Sequence, residues 1–226
     1  IDTDPYTVLL MHMDGADSGV VFTDECGKTV TAHGDVCTKT AEKKFGTASA
    51  YFDGTYDYLS IASSPDWNLD GDFTIDCWIY PIEWTNEYDP IFVIEATKGV
   101  WFGHLSVSGR FGLRLYGETD LVYVDTCPPI NTWSHVAITR EATTLKLWIN
   151  GEMVASATYS DTFPSGALFI GSDGSSPYWY KGYIDEFRVS KGVARWTSDF
   201  TPPTSPYVLN SRPVVHGLAV TFDGAP

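Results

Sequence analysis

Hydrophobic and polar positions alternate in short runs along most of the chain, and the runs stop at Gly, Asp, Asn, Ser or Pro. No segment keeps a 3.6-residue apolar period over three turns, so the pattern predicts β-strands and almost no helix. The predicted strands, in chain order, cover residues 6–13, 29–32, 36–38, 48–53, 57–61, 73–80, 91–95, 100–107, 110–116, 121–125, 133–140, 145–149, 152–159, 167–170 and 182–189.

The segments between these runs predict turns and an architecture. Asn150-Gly151 predicts a tight hairpin between 145–149 and 152–159, and His33-Gly34-Asp35 predicts another between 29–32 and 36–38. So many short strands suit either a two-sheet sandwich or a closed barrel. Residues 73–80 are hydrophobic on both faces, which favours a sandwich with that strand at its centre.

The length of 226 residues predicts one domain. Residues 201–206 (TPPTSP) form a stiff, Pro-rich exit from the strand region. We therefore expect a domain over residues 1–206 and a C-terminal tail or linker over 207–226.

Composition then removes several classes of function. The net charge of −15 argues against a nucleic-acid partner, which needs a basic face. No apolar run approaches the roughly 20 residues of a membrane span, so no membrane role is expected. Aromatic residues make up 15% of the chain, enough to build a core and exclude a disordered acidic protein. The four cysteines form no C-x-x-C pair, and whether Cys26 and Cys37 are bridged stays open.

Read in order, the motif segments resemble the laminin-G-like branch of the concanavalin A-like jelly rolls. The resemblance implies an all-β, two-sheet antiparallel jelly-roll sandwich. Modules of this type occur in phage virion or tail-fibre proteins and in bacterial secreted proteins, and this version is most similar to the phage ones. The segments that carry it are 8–15 (VLLMHMDG), 44–61 (KFGTASAYFDGTYDYLSI), 71–81 (GDFTIDCWIYP), 132–140 (TWSHVAITR), 145–151 (LKLWING), 168–171 (LFIG) and 181–206 (KGYIDEFRVSKGVARWTSDFTPPTSP).

The same resemblance implies one structural Ca²⁺, which binds six to eight oxygen ligands. The candidate metal ligands are Asp14, Asp53 and Asp185. The first and last strands of such folds approach each other, which would bring Asp14 close to Asp185. The alternative stays open, because Asp before Gly is also ordinary turn chemistry.

Aromatic side chains offer flat apolar faces on which sugar rings stack. Those in the motif strands are assigned to the core. The loops and one sheet face leave six candidate ligand-binding residues: Trp84, Tyr88, Trp101, Tyr116, Tyr178 and Trp179.

Enzymatic activity is not expected from the sequence. Glycosidases of related fold use a Glu-x-Asp-x-x-Glu strand, and the nearest approach, Glu87-Tyr88-Asp89, has Phe92 at the third position. Asp185 and Glu186 are adjacent, so regular alternation would place them on opposite faces of a strand.

These observations predict a non-catalytic carbohydrate-binding or adhesion module that contacts host-surface glycans, located on a virion or at the cell surface. The alternative is a structural virion protein that decorates or assembles the particle through protein contacts. The expected partners are a glycan or polysaccharide and other virion or surface proteins, with a homo-oligomer as a further prediction.

Overall fold

A computed structural model of the protein describes residues 4–85, 88–94, 99–105, 109–115, 120–175 and 177–209. These residues form fifteen β-strands and one short 3-10 helix at Pro65–Trp67, and none of their helices has the length and apolar character needed to cross a membrane. The strands are β1 Thr7–Met11, β2 Val30–His33, β3 Cys37–Lys39, β4 Ser49–Asp53, β5 Tyr58–Ile61, β6 Phe73–Pro81, β7 Asp89–Ile94, β8 Val100–His104, β9 Phe111–Leu115, β10 Asp120–Val124, β11 Ser134–Glu141, β12 Thr144–Ile149, β13 Glu152–Thr158, β14 Leu168–Ile170 and β15 Lys181–Lys191.

The strands form two antiparallel sheets packed as a sandwich. The eight-stranded sheet runs β13-β12-β11-β6-β15-β4-β3, with β1 also paired to β15, and the seven-stranded sheet runs β10-β9-β8-β7-β14-β5-β2. The predicted all-β, two-sheet jelly-roll sandwich is confirmed. β6 lies at the centre of its sheet between β11 and β15, as its hydrophobic faces predicted.

The core forms where alternate residues of the two sheets face each other. On β6, Ile75, Cys77 and Ile79 enter this core, whereas Asp76 and Trp78 lie on the outer side of the sheet. This alternation repeats along most strands and gives the sandwich two outer faces.

The predicted hairpin at His33-Gly34-Asp35 is wrong. β2 pairs with β5 in the seven-stranded sheet, and β3 pairs with β4 in the eight-stranded sheet. The chain therefore passes from one sheet to the other through this turn. A local turn signal cannot distinguish a hairpin from a crossover, because partner choice depends on distant strands.

The expectation that Asp185 and Glu186 point to opposite faces is also wrong. The register between β15 and β6 shifts between Asp185 and Arg188, and Glu186 has φ of 51°. Ile184 and Phe187 both enter the core, so the extra residue of this β-bulge leaves both acidic side chains outside it. Bulges of this kind re-aim side chains and are not visible in an alternation pattern.

The predicted hairpin at Asn150-Gly151 is confirmed. β12 pairs with β13 across it, and both turn residues have positive φ, 51° and 82°, as a type I′ turn requires. All four cysteines are free thiols. The described chain continues in contact with the sandwich as far as Tyr207, which is buried; the rest of the predicted tail, from residue 210, lies outside the described residues.

Candidate functional site

The outer face of the seven-stranded sheet carries a row of side chains that alternation leaves outside the core. The residues on either side of Phe169 enter the core, so Phe169 faces outward. The register places Phe169 opposite Val93 and Ser60, and it places Val93 opposite Trp101. Six aromatic residues on or beside this row form what we call the aromatic surface: Tyr56, Tyr58, Tyr88, Trp101, Tyr178 and Trp179.

Three of these rings meet at one end of the aromatic surface. The ring centroid of Trp179 lies 5.0 Å from that of Tyr56 and 6.3 Å from that of Tyr58. The imidazole ring of His33 stacks on the ring of Tyr58, with the two centroids 4.1 Å apart and the planes 7° apart. Tyr56 is 68% exposed. A pocket of about 290 Å³ opens beside these rings and is lined by Tyr56, Gly174, Ser175, Pro177 and Trp179.

The loop before Trp179 is folded by its own polar side chains. The hydroxyl of Ser172 accepts the N–H of Gly174 at 3.1 Å, and Asp173 accepts the N–H of Ser175 at 2.9 Å. Gly174 has φ of 74°, and a Cβ there would lie 3.2 Å from the ring of Phe169. Glycine therefore lets this loop lie directly on the sheet, which brings Trp179 to the aromatic surface.

The other end of the aromatic surface is packed more tightly. Trp101 is only 2% exposed, and the rings of Tyr88 and Tyr178 each lie 5.9 Å from it, edge to face. Arg114 donates a hydrogen bond from Nη1 to the hydroxyl of Tyr88 at 2.6 Å. The structure thus brings together four of the six aromatic residues predicted from the sequence: Tyr88, Trp101, Tyr178 and Trp179.

The two remaining aromatic candidates are not part of this surface as described. Trp84 is partly buried against the core, where its ring contacts His104, Phe111 and Tyr180. Its indole N–H donates to the carbonyl of Pro128 at 2.8 Å, so both its face and its polar atom are used in packing. Tyr116 lies outside the described residues.

A buried carboxylate fixes the chain beside the aromatic surface. Asp57 lies between Tyr56 and Tyr58 in sequence and is fully buried. Its two oxygens accept the N–H groups of Asp35 at 2.6 Å and Asp53 at 2.9 Å. Burial raises the pKa of the Asp57 carboxyl, and these two donors oppose the rise. The role of Asp57 is therefore to hold two loops at the end of the aromatic surface.

Two of the three predicted metal ligands bind one loop. The N–H groups of Lys44 and Phe45 donate to one oxygen of Asp185 at 2.8 and 3.0 Å. One oxygen of Asp14 accepts the N–H and the hydroxyl of Thr47 and, at 3.1 Å, the N–H of Ala48. Asp14 and Asp185 thus bind different parts of the loop over residues 44–48.

The third predicted ligand lies elsewhere. Asp53 is opposite Lys181 in the β4–β15 pair. Lys181 precedes Asp185 by four residues on β15, so the backbone positions of Asp53 and Asp185 are about 13 Å apart along the strand direction. One of its oxygens accepts the N–H of Thr55 at 2.7 Å, as in an Asx turn. Within the described residues, no three His, Cys, Asp or Glu side chains are grouped to hold a metal ion.

The remaining oxygen of Asp185 is buried and has no hydrogen-bond partner. Burial raises the pKa of this carboxyl to about 7, so near neutral pH it is partly protonated. Calcium needs six to eight oxygens, and the three carboxylates do not provide such a set. The calcium site stays a prediction from the sequence.

Part of the outer face of the eight-stranded sheet, around Trp148 and Arg188, is covered by the chain itself. Residues 196–207, which we call the C-terminal strap, begin with Trp196, which stacks on Phe200 with centroids 4.0 Å apart. The strap ends at Tyr207, whose N–H donates to Glu186 at 2.8 Å and whose ring lies 3.7 Å from the guanidinium of Arg188. The same outer face also carries the half-buried rings of Tyr51, Tyr80 and Tyr183, so partly exposed aromatic side chains lie on both sheets.

Sequence reasoning missed Tyr56, Tyr58 and His33. The available signal was the alternation in 57–61, where Leu59 and Ile61 enter the core and Tyr58 does not. That signal separates the two faces of a strand. It does not show which outer face the chain covers, nor that β2 brings His33 beside Tyr58.

Comparisons with solved structures identify the same fold. Domain 4 of AbnA, a GH43 extracellular arabinanase from Geobacillus stearothermophilus solved with arabinotriose, superposes with a TM-score of 0.61 and 18% identity, over 83% of this chain and 93% of that one. The botulinum neurotoxin serotype D binding domain gives a TM-score of 0.56 and 16% identity, and Trypanosoma rangeli sialidase gives 0.57 and 14%. The alignments cover 83% and 81% of this chain but 49% of the neurotoxin chain and 30% of the sialidase chain.

At these identities the likeness to solved structures establishes the fold alone. No curated protein sequence matches the chain. A family model described as the concanavalin A-like lectin/glucanases superfamily matches residues 53–197. This match covers more than half of the chain and includes both β5 and the loop that carries Trp179. The protein therefore belongs to the concanavalin A-like lectin/glucanase superfamily.

Proposed function

We propose that the protein is a non-catalytic glycan-binding module and that the Tyr56–Trp179 pocket is its primary sugar site. The observation that carries the proposal is the exposure of aromatic rings around an open pocket on the seven-stranded sheet. Stacking of a sugar ring on Trp179 or Tyr56 costs little side-chain rotamer entropy and buries a large apolar area.

Polar atoms at the rim provide the directional part of recognition. Ser175 is exposed beside the rings, and the hydroxyl of Tyr56 is carried by an exposed side chain. A few such groups around an apolar floor are typical of small-ligand sites. The tightly packed group of Tyr88, Trp101 and Tyr178 extends the surface and would support the next sugar of a chain.

A binding role without catalysis is supported by the state of the carboxylates at this site. A retaining glycosidase needs two carboxyl groups about 5–5.5 Å apart and free to act on the substrate. Asp57 is buried with both oxygens bound to N–H groups, and Asp173 is buried and accepts the N–H of Ser175. These groups serve loop structure.

The comparisons support a glycan as the ligand class. The arabinanase domain was solved with arabinotriose, and a botulinum neurotoxin DC binding domain was solved in complex with SialylT. The latter gives a TM-score of 0.55 over 83% of this chain and 48% of that one. An open, shallow site binds weakly per copy, so repetition on an oligomer or surface would supply avidity. We place the protein outside the cell or on a cell surface; the virion setting stays a prediction.

The proposal is tested by a glycan array followed by titration calorimetry on the strongest ligand. Tyr56→Ala and Trp179→Ala should each weaken binding about fivefold or more, because each removes a stacking face. Tyr6→Ala is the matched control, since Tyr6 is 45% exposed and precedes β1 on the other sheet.

Three outcomes decide between the candidate functions. Loss of binding in the pocket variants with retention in Tyr6→Ala supports the proposal. Equal binding by all three variants refutes the site. No binding of the wild-type protein to any glycan refutes the function and favours the alternative of protein–protein contacts, for which exposed aromatic residues are equally suited.

A further inference from the structure

A cleft of about 500 Å³ lies along the C-terminal strap, on the sheet opposite to the proposed sugar pocket. Its lining includes Arg188 of β15, Arg195 in the segment that follows β15, and Thr204 and Ser205 of the strap. We call it the strap cleft. Cavities of this size are typical of small-ligand sites, so the chemistry of its lining indicates what it can hold.

Arg188 is held in one position by its neighbours. It is 8% exposed, and its Nε and Nη2 donate to the two oxygens of Asp76 at 3.0 and 3.1 Å. Its guanidinium lies 3.7 Å from the ring of Tyr207 and 5.8 Å from that of Trp196. Within the described residues, Nη1 of Arg188 has no hydrogen-bond partner and is not fully buried, so it is accessible from the cleft.

Arg195 has a similar arrangement. Its Nε donates to the hydroxyl of Ser190 at 2.7 Å, and its Nη2 donates to Asp4 at 2.6 Å and to the hydroxyl of Thr7 at 2.9 Å. In the described part of the chain, Nη1 of Arg195 also has no hydrogen-bond partner and is not fully buried. Ser190 lies two residues after Arg188, so alternation places both on the outer side of β15 and brings the two guanidinium groups to one cleft.

The hydrogen-bonding groups that the strap cleft leaves unfilled are donors. A guanidinium has five N–H groups, and pairing with one carboxylate uses only part of them. Thr204 and Ser205 are exposed and add two hydroxyls that can donate. Among the described lining residues, Asp4 is the one carboxylate, and both of its oxygens already accept hydrogen bonds. A ligand group that only accepts hydrogen bonds therefore fits this lining.

We propose that the strap cleft binds a ligand that presents a carboxylate, with Nη1 of Arg188 and Nη1 of Arg195 as the donors. An ionised carboxylate only accepts hydrogen bonds, and bonds between ionised partners are stronger than those between neutral ones. The rings of Tyr207 and Trp196 hold Arg188 in position before a ligand arrives, which reduces the entropy lost on binding. An acidic sugar and a small organic acid both present this group. The site does not depend on the proposed sugar pocket.

Titration calorimetry of the full chain with three ligands tests the proposal. Trigalacturonate and malonate present carboxylates, and the carboxyl-reduced, neutral trimer presents none. At least one of the two acids should bind at about 150 mM NaCl, which screens the distant charges of the chain. Malonate binding shows that a small organic acid suffices, and trimer binding without malonate binding points to an acidic sugar. Both results support the site.

Two variants locate the binding. Ser205→Glu places a carboxylate of the chain itself at the cleft, where it competes for the guanidinium groups. It should weaken binding of the acids by about tenfold or more and leave binding of the neutral trimer unchanged. Arg195→Gln should weaken the acids about fivefold or more, with thermal denaturation as the check that it is folded. Ser160→Glu is the matched control, because Ser160 is exposed, follows β13 and does not line the cleft.

Failure of both acids to bind the wild-type protein overturns the inference. A Ser205→Glu protein that binds them as the wild-type protein does, or a Ser160→Glu protein that loses them equally, also overturns it. Trp179→Ala should bind the acids unchanged, and loss of acid binding in that variant would assign them to the other pocket and refute the strap cleft. Absence of neutral-glycan binding on the array refutes the proposed function and leaves this inference standing.

Discussion

The hydroxyl of Tyr207 donates a hydrogen bond to the buried carboxylate of Asp76, which ties the end of the C-terminal strap to the central strand β6. Arg188 binds the same carboxylate through Nε and Nη2 at 3.0 and 3.1 Å. Burial by itself would raise the pKa of Asp76, but the charge of Arg188 and the hydrogen bonds from His135 and Arg188 lower it to about 2. The strap is therefore part of the folded unit.

Removing this hydroxyl should destabilise the domain without unfolding it. Tyr207→Phe should lower the free energy of unfolding by about 1 kcal/mol, because Asp76 keeps its other donors and the ring stays over Arg188. Val208→Ala is the control, since Val208 is 73% exposed. Urea denaturation measures both, and equal stability of Tyr207→Phe and the wild-type protein would contradict the assigned role.

Asp185 should make stability depend on pH in an unusual direction. Its folded pKa of about 7 exceeds the unfolded value of about 3.9, so the folded state binds more protons between these values. The free energy of unfolding should therefore fall as pH rises from about 4 to about 7, by on the order of 1 kcal/mol per pH unit from this site, and then level off.

Asp185→Asn tests this slope. The amide keeps an oxygen that can accept the N–H groups of Lys44 and Phe45, but it does not titrate. Urea denaturation at half-unit steps from pH 4.5 to 8 should show a flatter curve for the variant below pH 7. Parallel curves for the variant and the wild-type protein would show that Asp185 is not the group responsible.

His12 provides a second, separable pH effect. Its hydrogen bond with Glu186 at 2.8 Å raises its pKa, with burial acting in the opposite direction. The resulting stability is present below the unfolded pKa of about 6.5 and is lost as pH rises through the folded value. His12→Gln should therefore lower the free energy of unfolding below that range and leave it unchanged in alkaline buffer. Asp185→Asn differs, because it should flatten the pH dependence of the free energy of unfolding below pH 7.

Trp84 should affect stability and leave the sugar site intact. Trp84→Ala should cost about 2–3 kcal/mol in unfolding free energy, since a partly buried ring that contacts three others is lost. Trp84→Phe should cost less, because it keeps one aromatic ring in place while it loses the hydrogen bond to Pro128 and part of the packed indole. Both should bind glycans as the wild-type protein does. Weaker binding by a well-folded Trp84→Phe protein would return Trp84 to the site, as the sequence predicted.

Calcium binding is tested by thermal denaturation. The oxygen of Asp14 that holds Thr47 and Ala48 and the oxygen of Asp185 that holds Lys44 and Phe45 already have their donors. We expect equal midpoints in 5 mM CaCl₂ and 5 mM EDTA. A midpoint that rises with calcium, as linkage requires for an ion bound only by the folded state, would support the metal site predicted from the sequence.

The sequence was informative wherever a local pattern sets local structure. Alternation located the strands, and Asn150-Gly151 located a hairpin, because side-chain period and turn dihedrals depend on neighbours in the chain. The same reasoning failed at His33-Gly34-Asp35 and at Asp185-Glu186. There a crossover and a β-bulge depend on which strands lie alongside, and no local signal reports that.

The candidate site shows the same division. Tyr88, Trp101, Tyr178 and Trp179 were predicted from the sequence because aromatic residues in loops and on strands outside the core motifs are recognisable as such, and their ligand-binding role stays a prediction. Tyr56, Tyr58 and His33 were not, because their contacts join β2, β5 and the loop before β15. The separation of Asp53 from Asp14 and Asp185 likewise follows from strand register.

By itself, the sequence determined an all-β sandwich, its central strand and a supply of aromatic side chains beyond what the core needs. Only the tertiary structure decided which parts of the outer faces are accessible, because that depends on residues 196–207 folding back over part of one of them. Alternation makes two outer faces that are equivalent in pattern. The packing of Tyr207 and Phe200 over part of one of them joins residues far apart in the chain, and the Tyr56–Trp179 pocket lies open on the other.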